Sequence, residues 1–437
     1  MRLAIALLLP AFAAAQSVSY NEQIKPILTR ACVGCHQPAS KQSGLLLTSH
    51  ADFVKGGTKG PGLVPGKPAE SRVVAYLKGD AQPRMPFGGK PLADADIALF
   101  ERWIADGAKD DSPATAAAAP LKPTEYSAPP LLTALAISPD GKTIAVSGYH
   151  EVLLVDGEGA LKARLPGLSM RIHGLAFSPG GATLAAVGGD PAERGELQIW
   201  DVAARKLRHS VVASNDTFFG VSFSPDGTKI AFAGADKSVR IYDAASGKEI
   251  RRADHHEDWA FGTVFGIDGK RLVSVGRDRA AKITDVESAR FIENVNLLKE
   301  PLMAVARHPK RDWIVIGGAE RIPYYYKLDR PRAMRIADDS TLIRKLAPMD
   351  GPILTVAISP DGLWAAAGAE VGDARVYNLE TGEEAARLTG HDGGVYVVAF
   401  HPDGKRVLTG GFDGLVRIYD YKGVLLKAFS AAPLMKK

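Results

Sequence analysis

The chain has only two cysteines in 437 residues, Cys32 and Cys35. That excludes a disulfide framework: a single bridge between them would close so short a loop that it would add little through chain entropy. Long apolar runs are also scarce. The stretch from Leu3 to Phe12 is about half of the roughly 20 residues that a membrane-spanning helix needs, and no later stretch is long enough. Charge of one sign is lacking too, since 54 Lys and Arg stand against 49 Asp and Glu in mixed runs. This predicts a soluble surface without a dedicated nucleic-acid groove. No nucleophilic triad, phosphate loop or paired carboxylates stand out from the background.

The N-terminus reads as a targeting segment. Met1-Arg2, the short apolar run and Ala13-Ala14-Ala15 before Gln16 match a charged n-region, an h-region and an A-x-A cleavage site. A signal peptide is expected over residues 1–16, cleaved near Ala15/Gln16, which would place the mature chain in a periplasm without a transmembrane segment.

The two cysteines form the run Cys32-Val33-Gly34-Cys35-His36. Thiols at this spacing, followed by histidine, are the pattern for covalent haem attachment, with the histidine binding iron. On a helical turn the two thiols share a face and His36 projects along the same side. A zinc site would need a second ligand pair, and a redox dithiol would leave His36 without a role. The expected cofactor is one covalent haem c, held by Cys32 and Cys35 with His36 on the iron. A sixth ligand completes such an iron. Met85 is the leading candidate, in the loop Pro83-Arg84-Met85-Pro86-Phe87-Gly88-Gly89, which its prolines and glycines keep out of helix and strand. His50 is the alternative, and an open position the third.

Helical signals surround these residues. Ser19 to Glu22 suggests a capping box before Ile24, Ile27 and Leu28, with a kink at Pro26. Asp94 or Asp96 is expected to cap a second helix that carries Ile97, Phe100, Trp103 and Ile104 on one face and stops at Gly107. Taken with Gly44-Leu45-Leu46-Leu47, Gly56-Gly57, Val64-Pro65-Gly66-Lys67-Pro68, Ser71, Arg84-Met85-Pro86 and Trp103-Ile104-Ala105-Asp106-Gly107-Ala108, the segment resembles the planctomycete-type cytochrome c domain. The resemblance implies haem c, axial ligation by His36 and Met85, and electron transfer. Phe87 departs from it, standing where a second proline is expected.

Residues 111–130 turn to Ala, Pro, Ser and Thr and read as a linker. Beyond them a turn recurs seven times: Ser138-Pro139-Asp140-Gly141, Ser178-Pro179-Gly180-Gly181, Ser224-Pro225-Asp226-Gly227, Ile267-Asp268-Gly269, His308-Pro309-Lys310, Ser359-Pro360-Asp361-Gly362 and His401-Pro402-Asp403-Gly404. Alternating apolar strands flank each copy, and a period near 40 residues of this kind marks propeller blades. The repeats resemble WD40 repeats. Gly390-His391, Thr409, Asp413 and Tyr419 fit that family's hydrogen-bond set best, while His256, Ser274 and Asp278 keep part of it. Arg321 to Tyr326 is the poorest match, so seven blades are expected, with six if that blade fails.

The fold expected is thus multidomain: a small all-α, class I-like cytochrome c domain over 17–110, the linker, and an all-β seven-bladed WD40-type propeller over 131–431. His173, Phe219, Phe261, Met303 and Tyr396 either gather near a channel mouth or pack between blades. The function expected is one-electron transfer by a carrier rather than an enzyme, with periplasmic redox proteins docking on the propeller or the haem edge. The alternative is a haem enzyme, peroxidase-like or with a second cofactor on the propeller. His255-His256 is the nearest approach there to a ligand cluster, and the WD40 role accounts for His256 without a metal.

Overall fold

The structure is a computed structural model that describes residues 17–37, 40–111, 123–330 and 339–435. The expected signal peptide and most of the expected linker lie outside those residues. The chain divides into two compact units, Met1–Pro120 and Leu121–Lys437. Among the described residues no helix is long and apolar enough to cross a membrane.

The first unit is helical. A π-helical turn, Tyr20–Ile24, runs directly into α1, Lys25–Ala31, with Pro26 in the first turn, where a missing N–H costs nothing. Ser19 caps the entry by accepting from the Glu22 N–H at 2.9 Å. The reciprocal bond of the expected box comes instead from Gln23, whose Oε1 accepts from the Ser19 N–H at 2.9 Å, because the wider π turn brings the next residue round. Then follow α2, His50–Lys55, α3, Arg72–Lys78, and α4, Asp94–Ala105. The cap of α4 is Ala93, not Asp94 or Asp96. Both aspartates sit in the first turn, where they favour the helix dipole, and Asp96 also pairs with Arg30 of α1 at 2.5 Å.

One face of α4 buries Ile97, Phe100, Trp103 and Ile104 against Tyr20, Ile24, Ile27, Leu28, Phe53 and Leu77. Each fully buried side chain of this size stabilises the unit by roughly 1.5–3 kcal/mol. Tyr20 and Phe53 stack on Trp103 at 5.4 and 5.9 Å between ring centroids. The loop before α3 is pinned from two sides. The buried Ser71 hydroxyl accepts from the Val64 N–H at 2.9 Å and donates to the Lys67 carbonyl at 2.8 Å, and the Gly66 N–H donates to Ile104 at 2.7 Å.

The named strands of the second unit all pair antiparallel. Among the described residues five sheets have four strands each, in chain order, and a sixth has seven. The seven-stranded sheet is two four-stranded halves that share the 17-residue strand Leu161–Phe177. Its start pairs with Tyr149–Val155 and its end with Thr183–Asp190. The doubtful fifth repeat forms a regular sheet of Leu302–Arg307, Trp313–Gly318, Tyr324–Lys327 and Leu342–Lys345. Its third strand is carried by three buried tyrosines, Tyr324, Tyr325 and Tyr326, aromatic residues suited to a pleated surface.

The recurring turn has a local cause. In Ser224-Pro225-Asp226-Gly227 the serine hydroxyl donates to Asp226 at 2.5 Å, Asp226 accepts from the Thr228 N–H at 3.0 Å, and Gly227 takes a left-handed φ of 72°. The Ser224 hydroxyl and the Thr228 N–H pull the Asp226 carboxyl down to about 2. In the last turn His401 replaces serine. Its Nδ1 accepts from the Asp403 N–H at 3.2 Å, and its Nε2 lies 3.0 Å from the Gly141 carbonyl, in the first turn of the unit. The same ends meet elsewhere. The Leu132 N–H donates to Gly411 at 3.0 Å, and Leu132, Leu135 and Ile144 share a buried cluster with Leu408, Val416 and Ile418. The outermost strand of the last sheet, Leu425–Phe429, comes from the C-terminal segment.

Polar networks pin the strands as the WD40 resemblance implies, with one variation. His256 lies 2.9 Å from Asp278 and 2.8 Å from Ser274. In the last sheet His391 meets Thr409 at 2.8 Å, but its other nitrogen faces Arg417 at 3.2 Å, and Arg417 rather than His391 pairs with Asp413 at 2.7 Å. The Tyr419 hydroxyl donates to the Thr389 carbonyl at 2.6 Å.

Candidate functional site

The end of α1 presents the two thiols. Cys32 is the helix's last capping residue, its N–H donating to Leu28 at 2.8 Å, and the chain then tightens through Cys35 N–H and His36 N–H, both donating to the Cys32 carbonyl, at 3.2 and 3.1 Å. The motif therefore lies on consecutive turns just past the helix, with the i to i+3 and i to i+4 bonds that the spacing required. Neither cysteine is in a disulfide. Cys32 is half-buried and Cys35 exposed, and burial pushes the Cys32 thiol up to about 11. His36 is buried, and its carbonyl accepts from the Leu47 N–H at 2.8 Å. Its Nδ1 is buried with no hydrogen-bond partner, an uncommon state for a polar atom in a finished core.

Met85 comes from the loop after α3. The Met85 N–H donates to the Tyr76 carbonyl at 3.0 Å, and Arg84 Nε donates to the Leu77 carbonyl at 3.3 Å, so two bonds tie this loop to the end of the helix. Pro83 to Gly89 form neither helix nor strand, as expected. Met85 packs, half-buried, on the same apolar cluster as Cys32 and Val33, together with Leu45, Val54, Val73, Leu92 and Leu99. The fold thus brings Cys32 and Met85 to one cluster whose outer apolar members are left partly uncovered, with the exposed Cys35 and the buried His36 following Cys32 on the next turns. Two free thiols, an unpartnered imidazole nitrogen and uncovered apolar side chains fit a covalent haem.

His50, the alternative ligand, is engaged elsewhere. Its Nε2 lies 2.7 Å from the Ala108 carbonyl, its Nδ1 is 3.8 Å from Asp110, and its ring stands edge-on to Tyr20 and Trp103 at 5.0 and 5.8 Å. The Gly56-Gly57 pair has a steric reason that the sequence alone did not give. A Cβ on Gly57 would stand 2.4 Å from the Ser43 carbonyl oxygen, so two backbone segments touch there.

In the second unit His173, Phe219, Phe261, Met303 and Tyr396 line one cavity, one of the two arrangements that the sequence left open. His255 and His256 do not act together: His255 meets the Ala289 carbonyl at 2.8 Å, while His256 serves the Asp278 and Ser274 network. Sequence reasoning missed the buried Glu151, which accepts from Tyr126 at 2.8 Å and from Arg164 Nε at 2.8 Å. No local pattern announces it, because its partners lie on separate segments.

Comparison with known proteins agrees with this division. Residues 32–86 match the planctomycete cytochrome C family, and residues 205–243 and 382–420 match the WD domain, G-beta repeat family. An uncharacterized WD repeat-containing protein, sll1491, of Synechocystis sp. is 32% identical over 131 residues, which is 28% of this chain and 34% of that protein. Protein groucho of Drosophila melanogaster is 27% identical over 120 residues, 26% of this chain and 16% of its own length. The chain thus spans about a third and about a sixth of these relatives. One polypeptide carries both a planctomycete cytochrome C domain and WD40 repeats.

Proposed function

We propose that this protein is an exported c-type cytochrome that passes single electrons, with its WD40 unit docking a periplasmic redox partner. The observation that supports the reading is the packing of Cys32 and Met85 on one cluster of the helical unit, with Cys35 and a buried His36 beside Cys32 in the chain, on a segment whose family match runs from Cys32 to Pro86. Cys32 and Cys35 would hold one haem c as thioethers, and His36 and Met85 would be its axial ligands. When bound, the haem supplies an iron centre that changes oxidation state by one electron. The polypeptide's part is mechanical. α1 fixes the two sulfurs, the Leu47 bond fixes the backbone of His36, and the bond from the Met85 N–H to Tyr76 holds the thioether's backbone. The uncovered apolar side chains would exclude water from the cofactor face and favour the less charged state.

We read the all-β unit as a seven-bladed ring. The seven four-stranded units in chain order and the shared cluster of Leu132, Leu135, Leu408 and Val416 support this. Docking is the common use of WD40 rings, and the unit is assigned that role here.

Absorption spectra of protein matured in a periplasm with haem-attachment machinery test the proposal. Covalent haem and the weak red band of sulfur-ligated ferric iron are expected, with the band lost in Met85→Ala. A five-coordinate or bis-histidine spectrum in the wild type would remove Met85 from the ligand set, and protein without covalent haem would refute the whole reading.

A further inference from the structure

In six places the innermost strand of the second unit carries a β-bulge at its start. The register shifts fall between Ile172 and Gly174, Phe218 and Gly220, Ala260 and Gly262, Leu302 and Ala304, Ile353 and Thr355, and Val395 and Val397. The residue left out of each ladder is His173, Phe219, Phe261, Met303, Leu354 or Tyr396. All six line a single cavity of about 480 Å³. A bulge frees one residue from pairing and re-aims its side chain. Here the neighbours that stay in register, such as Phe218, are the fully buried ones, while the bulged residues remain only half-buried.

The cavity size falls within the roughly 300–1,000 Å³ of small-molecule sites. Its wall is uneven. Phe219 stands 5.6 Å from His173 and 5.2 Å from Phe261, and Trp259, next to the bulge and 39% exposed, stands 5.7 Å from Phe219. The rings of His173, Phe219 and Phe261 stand together on the wall, which Met303, Leu354 and Tyr396 help to complete, while Trp259 lies outside the lining. No Asp, Glu, Lys or Arg is among the residues lining the cavity, so it offers no countercharge to a metal ion, an ammonium group or a phosphate. Two polar side chains in it are unused. The ring nitrogens of His173 and the hydroxyl of Tyr396 make no hydrogen bond to any described residue. Burial, helped by Arg171, brings His173 down to about 4. Its imidazole is therefore neutral at pH 7 and offers one donor and one acceptor.

We propose that this cavity binds a planar, uncharged aromatic small molecule bearing a hydroxyl or carbonyl group, with its ring against Phe219 and Phe261 and its polar group hydrogen-bonded to His173. The site belongs to the WD40 unit alone and does not depend on haem chemistry. Its test leaves the electron-transfer reading untouched.

Titration calorimetry of the full-length haem-loaded protein with 2-naphthol reads the site directly. One-to-one binding is expected, with a Kd on the order of 0.1 mM for a ligand of this size. His173→Phe keeps a ring but loses the polar atoms, and should weaken 2-naphthol about tenfold while leaving naphthalene unchanged. Phe219→Ala, at a half-buried position of the cavity wall, should weaken both ligands about fivefold, and melting curves of both variants check that the unit still folds. Absence of heat at about 1 mM ligand, or binding undiminished in both variants, overturns the proposal. So does tighter binding of a short phenylalanine-containing peptide, which would assign the cavity to a partner's side chain.

Discussion

Replacing Asp278 with asparagine isolates the contribution of one buried charge to the stability of the WD40 unit. The Asp278 side chain is 5% exposed, lies 2.9 Å from His256, accepts from the Glu257 N–H at 3.0 Å and pairs with Lys282 at 3.2 Å. Burial alone would raise its pKa. The hydrogen bond and charge of His256, the Glu257 N–H and Lys282 outweigh burial and bring it from 3.8 down to about 2. A carboxyl with a depressed folded pKa stabilises the fold above its unfolded pKa, and that stabilisation is lost as pH falls through the folded value. The difference corresponds to about 2 kcal/mol at pH 7 and roughly half that at pH 3. For a unit of roughly 300 residues the neutral-pH figure is a shift of about 4 °C in Tm. Asparagine keeps the shape and an acceptor but cannot ionise. Calorimetry of wild type and Asp278→Asn should therefore show a gap of this order at pH 7 that shrinks by about half at pH 3. An equal gap at both pH values would show that the charge is not what Asp278 contributes.

Two further outcomes follow from the packing. Gly57→Ala places a methyl 2.4 Å from the Ser43 carbonyl oxygen and 2.8 Å from the Leu45 nitrogen, whereas a Cβ on Gly34 meets nothing within 4 Å. Denaturant melts of the cytochrome unit should show a loss of about 1–3 kcal/mol for the first and little change for Gly34→Ala; equal effects would contradict the close approach. Tyr126→Phe removes the hydroxyl that donates to the buried Glu151 at 2.8 Å and accepts from the Tyr149 N–H at 2.9 Å. It should lower the Tm of the WD40 unit by an amount equivalent to about 1–3 kcal/mol, and an unchanged melt would mean that water replaces the hydroxyl.

Much of the molecule was written in short-range chemistry. Cys32-Val33-Gly34-Cys35-His36 is a contiguous pattern, and the Ser-Pro-Asp-Gly turns close on themselves through bonds between residues two and five apart, such as Ser224 to Asp226 and Lys229 N–H to Ser224. Interactions of that range leave a fixed spacing in the sequence, so the cytochrome-like segment and the WD40 repeats were legible. Asp94 and Asp96 were expected as caps of α4 but lie one and three positions past Ala93, because a first-turn acid and a cap have the same composition. Arg321 to Tyr326 was doubted because its turn is irregular, although the buried face of the following tyrosines was enough to complete the strand.

The remainder depends on residues distant along the chain, and no local pattern specifies it. Sequence offered both Met85 and His50 beside the haem motif. Only packing put Met85 on the cluster of Cys32 and turned His50 to Ala108 and the Trp103 ring. His401 reads as a flawed serine until its Nε2 is found beside Gly141, 260 residues earlier. The bulges that turn His173, Phe219, Phe261 and Tyr396 into one cavity are register shifts between strand pairs, and register is fixed by which faces the neighbouring sheets bury. The sequence by itself determined the chemistry available and the elements that carry it. The tertiary structure decided which of those side chains meet, because that choice is made by the shared burial of segments that never adjoin in the chain.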